Sequence, residues 1–186
     1  GSLMSEEIII RYCSPTLAGL KTGNMFTCYF SDEKEVYSAV RNWNLRLGKK
    51  GVRFLPLCLR GNRALIYVYR PSFLSRDLQR ENVCSLLMEH GYGTENQGEC
   101  VARLRRRFDE GSEFPHEIGL FLGYPPEDVR GFIEKGADSF KYAGLWKVYG
   151  DVDSALKTFA KYKKCARIYK ILFSKGRSVD RLTVVG

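Results

Sequence analysis

The hydrophobic positions in the first third of the chain predict strands and helices in turn. Residues 6–12 contain the apolar run "IIIRY", which is short enough for a strand, and the Ser-Pro pair behind it is typical of a short helix over 14–21. Aromatic residues at 25–30 indicate another strand. A helix is predicted to begin at Ser31-Asp32, and its apolar residues recur at helical spacing: Val36, Val40, Trp43 and Leu47.

Residues 52–70 predict a β-hairpin. Two apolar runs, 52–59 and 64–70, flank Gly61-Asn62, and both of these residues tolerate the positive φ that tight hairpin turns require. Pro56 has no N–H to donate to a neighbouring strand, so the first run is expected to be an edge strand or to carry a bulge.

The rest of the chain has a mostly helical pattern. Asp151 is expected to cap a long helix that ends at about residue 173. Its apolar residues are expected near one stripe: Leu156, Phe159, Ile168, Tyr169 and Leu172. The other predicted elements are helices at 71–90 and 100–108, two short helices within 114–136, and strands at 144–151 and 181–185.

The predicted fold class is α+β. Hairpins and helices follow one another without the regular βαβ rhythm of a parallel sheet, which favours a single compact domain with a mixed, largely antiparallel sheet packed by several helices. Residues 4–186 are assigned to this domain. Gly1-Ser2 before Met4 is typical of a vector-derived remnant, so residues 1–3 are expected to be a disordered start.

Basic charge is concentrated near the C-terminal end of the sequence. The net charge is +9, and residues 157–181 hold nine Lys or Arg residues and one acid, Asp180. Four arginines in "RLRRRF" (103–108) form a second cluster. Such clusters attract phosphate, nucleic acid, an acidic protein or a membrane surface, although a solvated helix face has the same composition.

The composition and the cysteines favour a soluble cytoplasmic protein. Apolar residues make up 44% of the chain and charged residues 27%, and no apolar run approaches the roughly 20 residues of a membrane span. The start has no secretory signal pattern. The six cysteines include no CxxC pair and no Cys/His set with zinc spacing, so no metal site is predicted and the thiols are expected to be reduced.

Cys13 is the candidate nucleophile. It is expected at a strand end directly before a helix N-terminus, where the partial positive charge lowers a thiol pKa and attracts anions. Lys21 follows about two turns later and adds a cation. The alternative is a buried structural cysteine. Arg70, at a strand end, and Lys147, in "WKVYG", are candidate anion-binding residues, and either can equally be a surface charge.

His116 and Glu117 are the other candidate catalytic residues. His116 follows Pro115 and is expected in the first turn of a helix, where the helix dipole favours a neutral imidazole that can act as acid, base or ligand. Glu117 is the candidate orienting carboxylate. Helix capping or packing is the alternative for both. The zinc motif HExxH is excluded, because Leu120 stands where its second histidine belongs.

Residues 116–135 also have features of a helix-turn-helix. Gly119 and Gly123 are the small residues that close helix packing needs, and together with the basic segment 157–181 they favour nucleic-acid binding. The acidic pair Glu127-Asp128 weighs against it, because the second helix would present two carboxylates to phosphate groups.

A family resemblance extends over nearly the whole chain. It is carried by "CSPTLAGLKTGN" (13–24), "VYRP" (68–71), "HGY" (90–92), "FPHEIGLFLGYPPEDVRGFIEKG" (114–136), "GLWKVYGD" (144–151) and "FAKYKKC" (159–165). These motifs resemble a bacterial domain-of-unknown-function family common in clostridia and related anaerobes. The resemblance implies an intracellular bacterial protein whose whole chain is one family domain. It implies no activity, substrate or cofactor.

Three functional hypotheses follow from the sequence. The leading one is a cytoplasmic protein that binds an anionic small molecule and, if Cys13 is reactive, acts as a thiol-dependent enzyme. The alternatives are a nucleic-acid-binding regulator that uses residues 116–135 and 157–181, and an interaction module whose basic face docks an acidic partner such as a redox protein. The sequence leaves open whether the protein is an enzyme.

Overall fold

The computed structural model describes residues 3–111 and 113–186, and their contacts define two compact units. Unit 1 comprises residues 3–74 and 165–186, and unit 2 comprises the described residues of 75–164. The start predicted at residues 1–3 lies mostly outside the described residues, and the domain boundary at residue 4 stays a prediction. The elements in chain order are α1 (Glu6–Leu17), β1 (Gly23–Tyr29), α2 (Glu33–Leu47), a 3₁₀ turn (Gly48–Lys50), β2 (Arg53–Arg60), β3 (Arg63–Tyr69), α3 (Pro71–Leu78), α4 (Glu81–Glu89), α5 (Gln97–Glu110), α6 (Ile118–Phe121), α7 (Pro126–Lys135), β4 (Tyr142–Ala143), β5 (Lys147–Val148), α8 (Val152–Ser174) and α9 (Val179–Leu182).

Unit 1 contains a three-stranded antiparallel sheet. Its strand order is β1-β3-β2, so β3 is central and β2 lies at an edge. Gly61 has a φ of +59° in the turn between β2 and β3, and the predicted hairpin is confirmed. The register of β2 shifts between Pro56 and Cys58. The edge position and the irregularity are both what the proline predicted.

The strand predicted at residues 6–12 is wrong, because this segment forms most of α1. Ser5 caps the helix by accepting a hydrogen bond from the Ile8 amide at 3.3 Å, and two glutamates occupy the first turn. A short apolar run fits a buried helix face as well as it fits a strand. Here the core of unit 1 takes residues at helical spacing: Ile9, Ile10, Cys13 and Leu17.

The core of unit 1 is one hydrophobic cluster between the sheet and the helices. Trp43 on α2 stacks on Phe54 of β2 with ring centroids 5.5 Å apart, and its Nε1 donates to the Met4 carbonyl at 2.9 Å. The predicted start of α2 is confirmed, because the side chain of Asp32 caps the helix by accepting a hydrogen bond from the Lys34 amide. The last turns of α8 add partly buried side chains to the cluster: Tyr169, Leu172 and Phe173.

The strand predicted at 181–185 is wrong as well. The Ser178 side chain accepts from the Arg181 amide and starts the short helix α9, and the chain beyond it meets the C-terminal end of α1. There the Val184 amide donates to the Leu17 carbonyl at 2.9 Å.

Unit 2 is helical except for a small hairpin. The helix predicted over 71–90 is interrupted between α3 and α4, and the strand predicted at 144–151 reduces to β5, which pairs antiparallel with β4. Asp151 caps α8 as predicted, since its carboxylate accepts from the Ser154 amide at 3.0 Å. With the antiparallel sheet of unit 1, these elements confirm the α+β class.

Two glycines let the hairpin of unit 2 pack closely against helices. A Cβ on Gly131 of α7 would lie 2.4 Å from the Tyr149 side chain. A Cβ on Gly144 would lie 2.3 Å from the Phe159 ring of α8. Any larger residue at either position would therefore force the hairpin away from its helix.

Candidate functional site

Cys13 lies inside α1, so its predicted place before a helix N-terminus is wrong. That terminus is at Ser5, and Cys13 is completely buried in the core of unit 1. Burial raises the pKa of the thiol far above its usual value, although the charge of Lys21 acts in the opposite direction. The thiol therefore stays protonated at neutral pH, as a packed structural cysteine does.

Lys21 is buried, and its amine is hydrogen-bonded within unit 1. The residue is 7% exposed, and its Nζ donates to the Gly23 carbonyl at 2.5 Å. Burial lowers the pKa of Lys21 to about 7, while Cys13 acts to raise it. Because the amine is only partly charged at neutral pH, it is a weak anchor for an anion.

Arg70 is completely buried, and its guanidinium is used within unit 1. A guanidinium has five N–H donors, and those of Arg70 reach five backbone carbonyls at 2.7 to 3.4 Å. No donor is left for the predicted anion. The side chain instead ties β3 to the end of α1, the 3₁₀ turn and the chain beyond α9 through the carbonyls of Thr16, Leu17, Lys50, Val184 and Gly186.

His116 and Lys147 are brought to the same aromatic ring in unit 2. His116 is exposed in the turn before α6 rather than inside the helix, and its ring lies 4.8 Å from that of Phe132. The Lys147 Nζ lies 5.9 Å from the Phe132 ring and 5.1 Å from the Phe140 ring. It also donates to the Ala137 carbonyl at 2.7 Å. These contacts hold the segment that follows α7.

Glu117 is buried, and its carboxylate binds Tyr92 and Arg107. The Tyr92 hydroxyl donates at 3.0 Å and the Arg107 Nε at 2.7 Å. Burial alone would raise the pKa of Glu117, but the hydrogen bonds from Arg107 and Tyr92 hold it below its usual value. The ionised carboxylate therefore anchors the turn before α6 to α5, and its predicted orienting role toward His116 stays a prediction.

Asp128 in the first turn of α7 is buried, which weighs against its contact with DNA bases, whereas Glu127 beside it is exposed. The Asp128 carboxylate accepts hydrogen bonds from Trp146 Nε1 at 2.8 Å and from the amides of Tyr149 and Gly150 at 2.9 Å. A recognition helix presents its N-terminal residues to the major groove. In α7 this end is occupied by the hairpin, and α6 before it has only four residues.

The basic segment 157–181 is exposed to solvent. Helix α8 turns Tyr169, Leu172 and Phe173 toward the core of unit 1, and its charged residues lie on other faces. All nine cationic residues of the segment are exposed: Lys157, Lys161, Lys163, Lys164, Arg167, Lys170, Lys175, Arg177 and Arg181. The charge is therefore available to an anionic partner.

Exposed apolar residues stand beside these cations, and sequence reasoning missed them. Leu156 and Ile168, which are predicted to lie near the stripe of Tyr169 and Leu172, are 39% and 43% exposed, and Ile171 is 51% exposed. Helical geometry contained the signal. Each isoleucine is one residue away from Tyr169 or Leu172, and successive residues on a helix point about 100° apart.

The described part of the chain contains neither a helix that could span a membrane nor a cluster of metal ligands. None of its helices has the length and apolar character needed to cross a membrane. Over the same residues, no group of three or more His, Cys, Asp or Glu side chains could hold a metal ion.

Comparison with known proteins bears on the resemblance found in the motifs. No curated protein and no solved structure matches the chain. The family described as "Protein of unknown function (DUF3793)" matches residues 9–183, which is nearly the whole chain. The chain therefore belongs to this domain-of-unknown-function family.

Proposed function

We propose that this protein is a cytoplasmic interaction module that docks an acidic protein on the surface of residues 167–181, called the docking segment below. One observation supports the proposal above the others. Within unit 1 the docking segment exposes five cations together with two isoleucines. That combination is typical of a surface that meets a charged and partly apolar partner.

Charge supplies the first part of the argument. The docking segment contains one acid, Asp180, and the carboxylate of Asp180 already accepts hydrogen bonds from Arg46. The remaining positive field accelerates association with an acidic surface and weakens as salt is added. The five cations are Arg167, Lys170, Lys175, Arg177 and Arg181.

The isoleucines supply the second part, because they distinguish a protein partner from nucleic acid. Protein interfaces bury apolar side chains at their centre and place charges at the rim. A phosphate backbone offers charges and few apolar contacts. Ile168 and Ile171 are therefore expected to contribute to binding of a protein and to contribute little to binding of DNA or RNA.

The small-molecule hypothesis has less support, because its predicted residues are used inside the protein. Arg70 has no donor to spare, Lys147 contacts two aromatic rings, and the Cys13 thiol is buried and protonated. Their geometry favours roles in packing and cohesion over recognition of an anion.

A pull-down tests the proposal. The protein is immobilised and exposed at low salt to bacterial cytoplasmic extract that has been treated with nuclease, and the retained proteins are identified by mass spectrometry. Arg167→Glu with Lys170→Glu is expected to lose an acidic protein that the unaltered chain retains. Ile168→Gln with Ile171→Gln is expected to lose the same protein, although its charge is unchanged. Arg105→Glu with Arg106→Glu, on exposed positions of α5, makes the same charge change and should retain it.

Three results would contradict the proposal. Equal loss in the α5 control would mean that net charge alone causes retention. Full retention by the isoleucine variant would remove the apolar part of the argument. Tighter binding to duplex or single-stranded oligonucleotides, or to phosphatidylserine vesicles, with no acidic protein retained, would assign the docking segment to nucleic acid or to membrane.

A further inference from the structure

Two sulfur atoms are in contact on one helix of unit 2. Cys84 and Met88 lie one turn apart on α4, and the Cys84 Sγ is 3.7 Å from the Met88 Sδ. The same Sγ is 2.9 Å from the hydroxyl oxygen of Thr94. Cys84 is half-buried and Met88 is 61% exposed, so solvent reaches both residues.

The distance between the two sulfur atoms suits a soft metal ion. Metal–sulfur bonds are about 2.3 Å long, so one ion can bond to two sulfur atoms that are 3.7 Å apart. Thiolate and thioether ligands select Cu(I) and similar soft cations over hard ones. Residues four apart on a helix face the same side, so α4 itself holds both ligands at this spacing.

Unit 2 contains one other cysteine, Cys100. Cys100 on α5 is completely buried, and burial raises its pKa to about 12. Since Cys100 stays protonated and buried, Cys84 is the accessible thiol of the two.

We propose that Cys84 and Met88 bind one soft monovalent cation, Cu(I) or Ag(I), through a thiolate and a thioether. Binding forms one bond from each sulfur atom to the ion and breaks the Cys84 S–H bond, whose proton passes to solvent. No electron is transferred, and the charge of the ion balances the thiolate. Zinc is not expected here, because a structural zinc site takes four ligands. The proposal is independent of the docking segment.

Competition with bicinchoninate for Cu(I), under anaerobic conditions, measures the affinity. Cys58, the other half-buried thiol of the six cysteines, is first replaced in a Cys58→Ser parent. This parent is expected to bind one Cu(I) per chain. Cys84→Ser should abolish that binding, and Met88→Leu should raise the Kd by about tenfold or more because a ligand is lost while the thiol stays. Met25→Leu is the matched control and should leave the Kd unchanged.

X-ray absorption at the copper edge counts the sulfur ligands of the bound copper, a number that a change in packing alone would not alter. The parent is expected to show two sulfur ligands per copper, and Met88→Leu fewer. Leucine at an exposed helix position should leave the melting temperature nearly unchanged, so folding is not a confounding factor. A Met88→Leu variant that binds Cu(I) as tightly as the parent would overturn the proposal, as would full binding by Cys84→Ser.

Discussion

Units 1 and 2 each bury an ionic side chain, and they satisfy it in different ways. In unit 1 the Arg70 guanidinium donates to five backbone carbonyls. In unit 2 the Glu117 carboxylate accepts from the Tyr92 hydroxyl and from Arg107, which carries the opposite charge. The first arrangement relies on neutral groups from separate segments, whereas the second relies on an ion pair and one hydroxyl.

This difference determines how the contribution of each of the two side chains depends on pH. Burial lowers the pKa of Arg70, but a guanidinium still keeps its proton under ordinary conditions, so the cohesion it gives unit 1 is independent of pH. Glu117 can take up a proton in acid, and its contribution to unit 2 then disappears. The losses of unfolding free energy caused by variants of the two residues should therefore differ in acid.

Arg70→Met is expected to have the largest effect. The change leaves five carbonyls without their donor, and each buried acceptor that is left unsatisfied costs about 1–3 kcal/mol, so the total loss is expected to be at least about 3 kcal/mol. That is a large share of the roughly 5–15 kcal/mol by which a domain is stable. Urea unfolding followed by circular dichroism measures the loss. Arg63→Met, at an exposed position of β3, is the control and should stay within about 0.5 kcal/mol of the unaltered protein. A similar loss in both variants would contradict the special role of Arg70.

Glu117→Gln is expected to have a smaller effect that depends on pH. Glutamine can still accept from Tyr92 but loses the charge attraction to Arg107, which is 31% exposed, so a loss of about 1–3 kcal/mol is expected at neutral pH. The folded-state pKa of Glu117 lies below its usual 4.5. The ionised carboxylate therefore contributes fully to the stability of the fold above pH 4.5, and this contribution is lost as the pH falls through the folded-state pKa.

Urea unfolding from neutral pH down to about pH 3 measures this dependence. The difference between the unaltered protein and Glu117→Gln should narrow in acid, whereas the difference for Arg70→Met should persist. A constant difference for Glu117→Gln over the whole range would show that its effect comes from packing and not from charge.

Asp180→Asn is expected to have the smallest effect and tests a partly exposed ion pair of unit 1. Arg46 binds both Asp180 and Glu6, and the side chains of Arg46 and Asp180 are 38% and 35% exposed. Solvent screens such a pair, so the loss should be at most about 1 kcal/mol and should shrink in high salt. The Arg46 hydrogen bond lowers the pKa of Asp180, so acid should also remove this contribution. A large loss that salt does not change would mean that the pair behaves as a buried one.

Local signals allowed much of the fold to be predicted. The Gly61-Asn62 turn, Pro56 and the Asp32 cap act through their own backbone and immediate neighbours, and the hairpin and α2 are confirmed. The apolar run of α1 fits two structures, and the strand prediction overlooked the helix start at Ser5 and the two glutamates behind it. That one error also misplaced Cys13.

The sequence by itself determined the hairpin, the long basic helix and the position of the charged segment, because short-range spacing and composition encode them. Only the tertiary structure decided that Arg70 is buried and hydrogen-bonded to several segments of unit 1. The same holds for the pairing of Glu117 with Arg107 and for the exposure of Ile168 and Ile171. The partners that bury or satisfy these side chains come from distant parts of the chain. Their meeting depends on how the core packs, which local patterns do not contain.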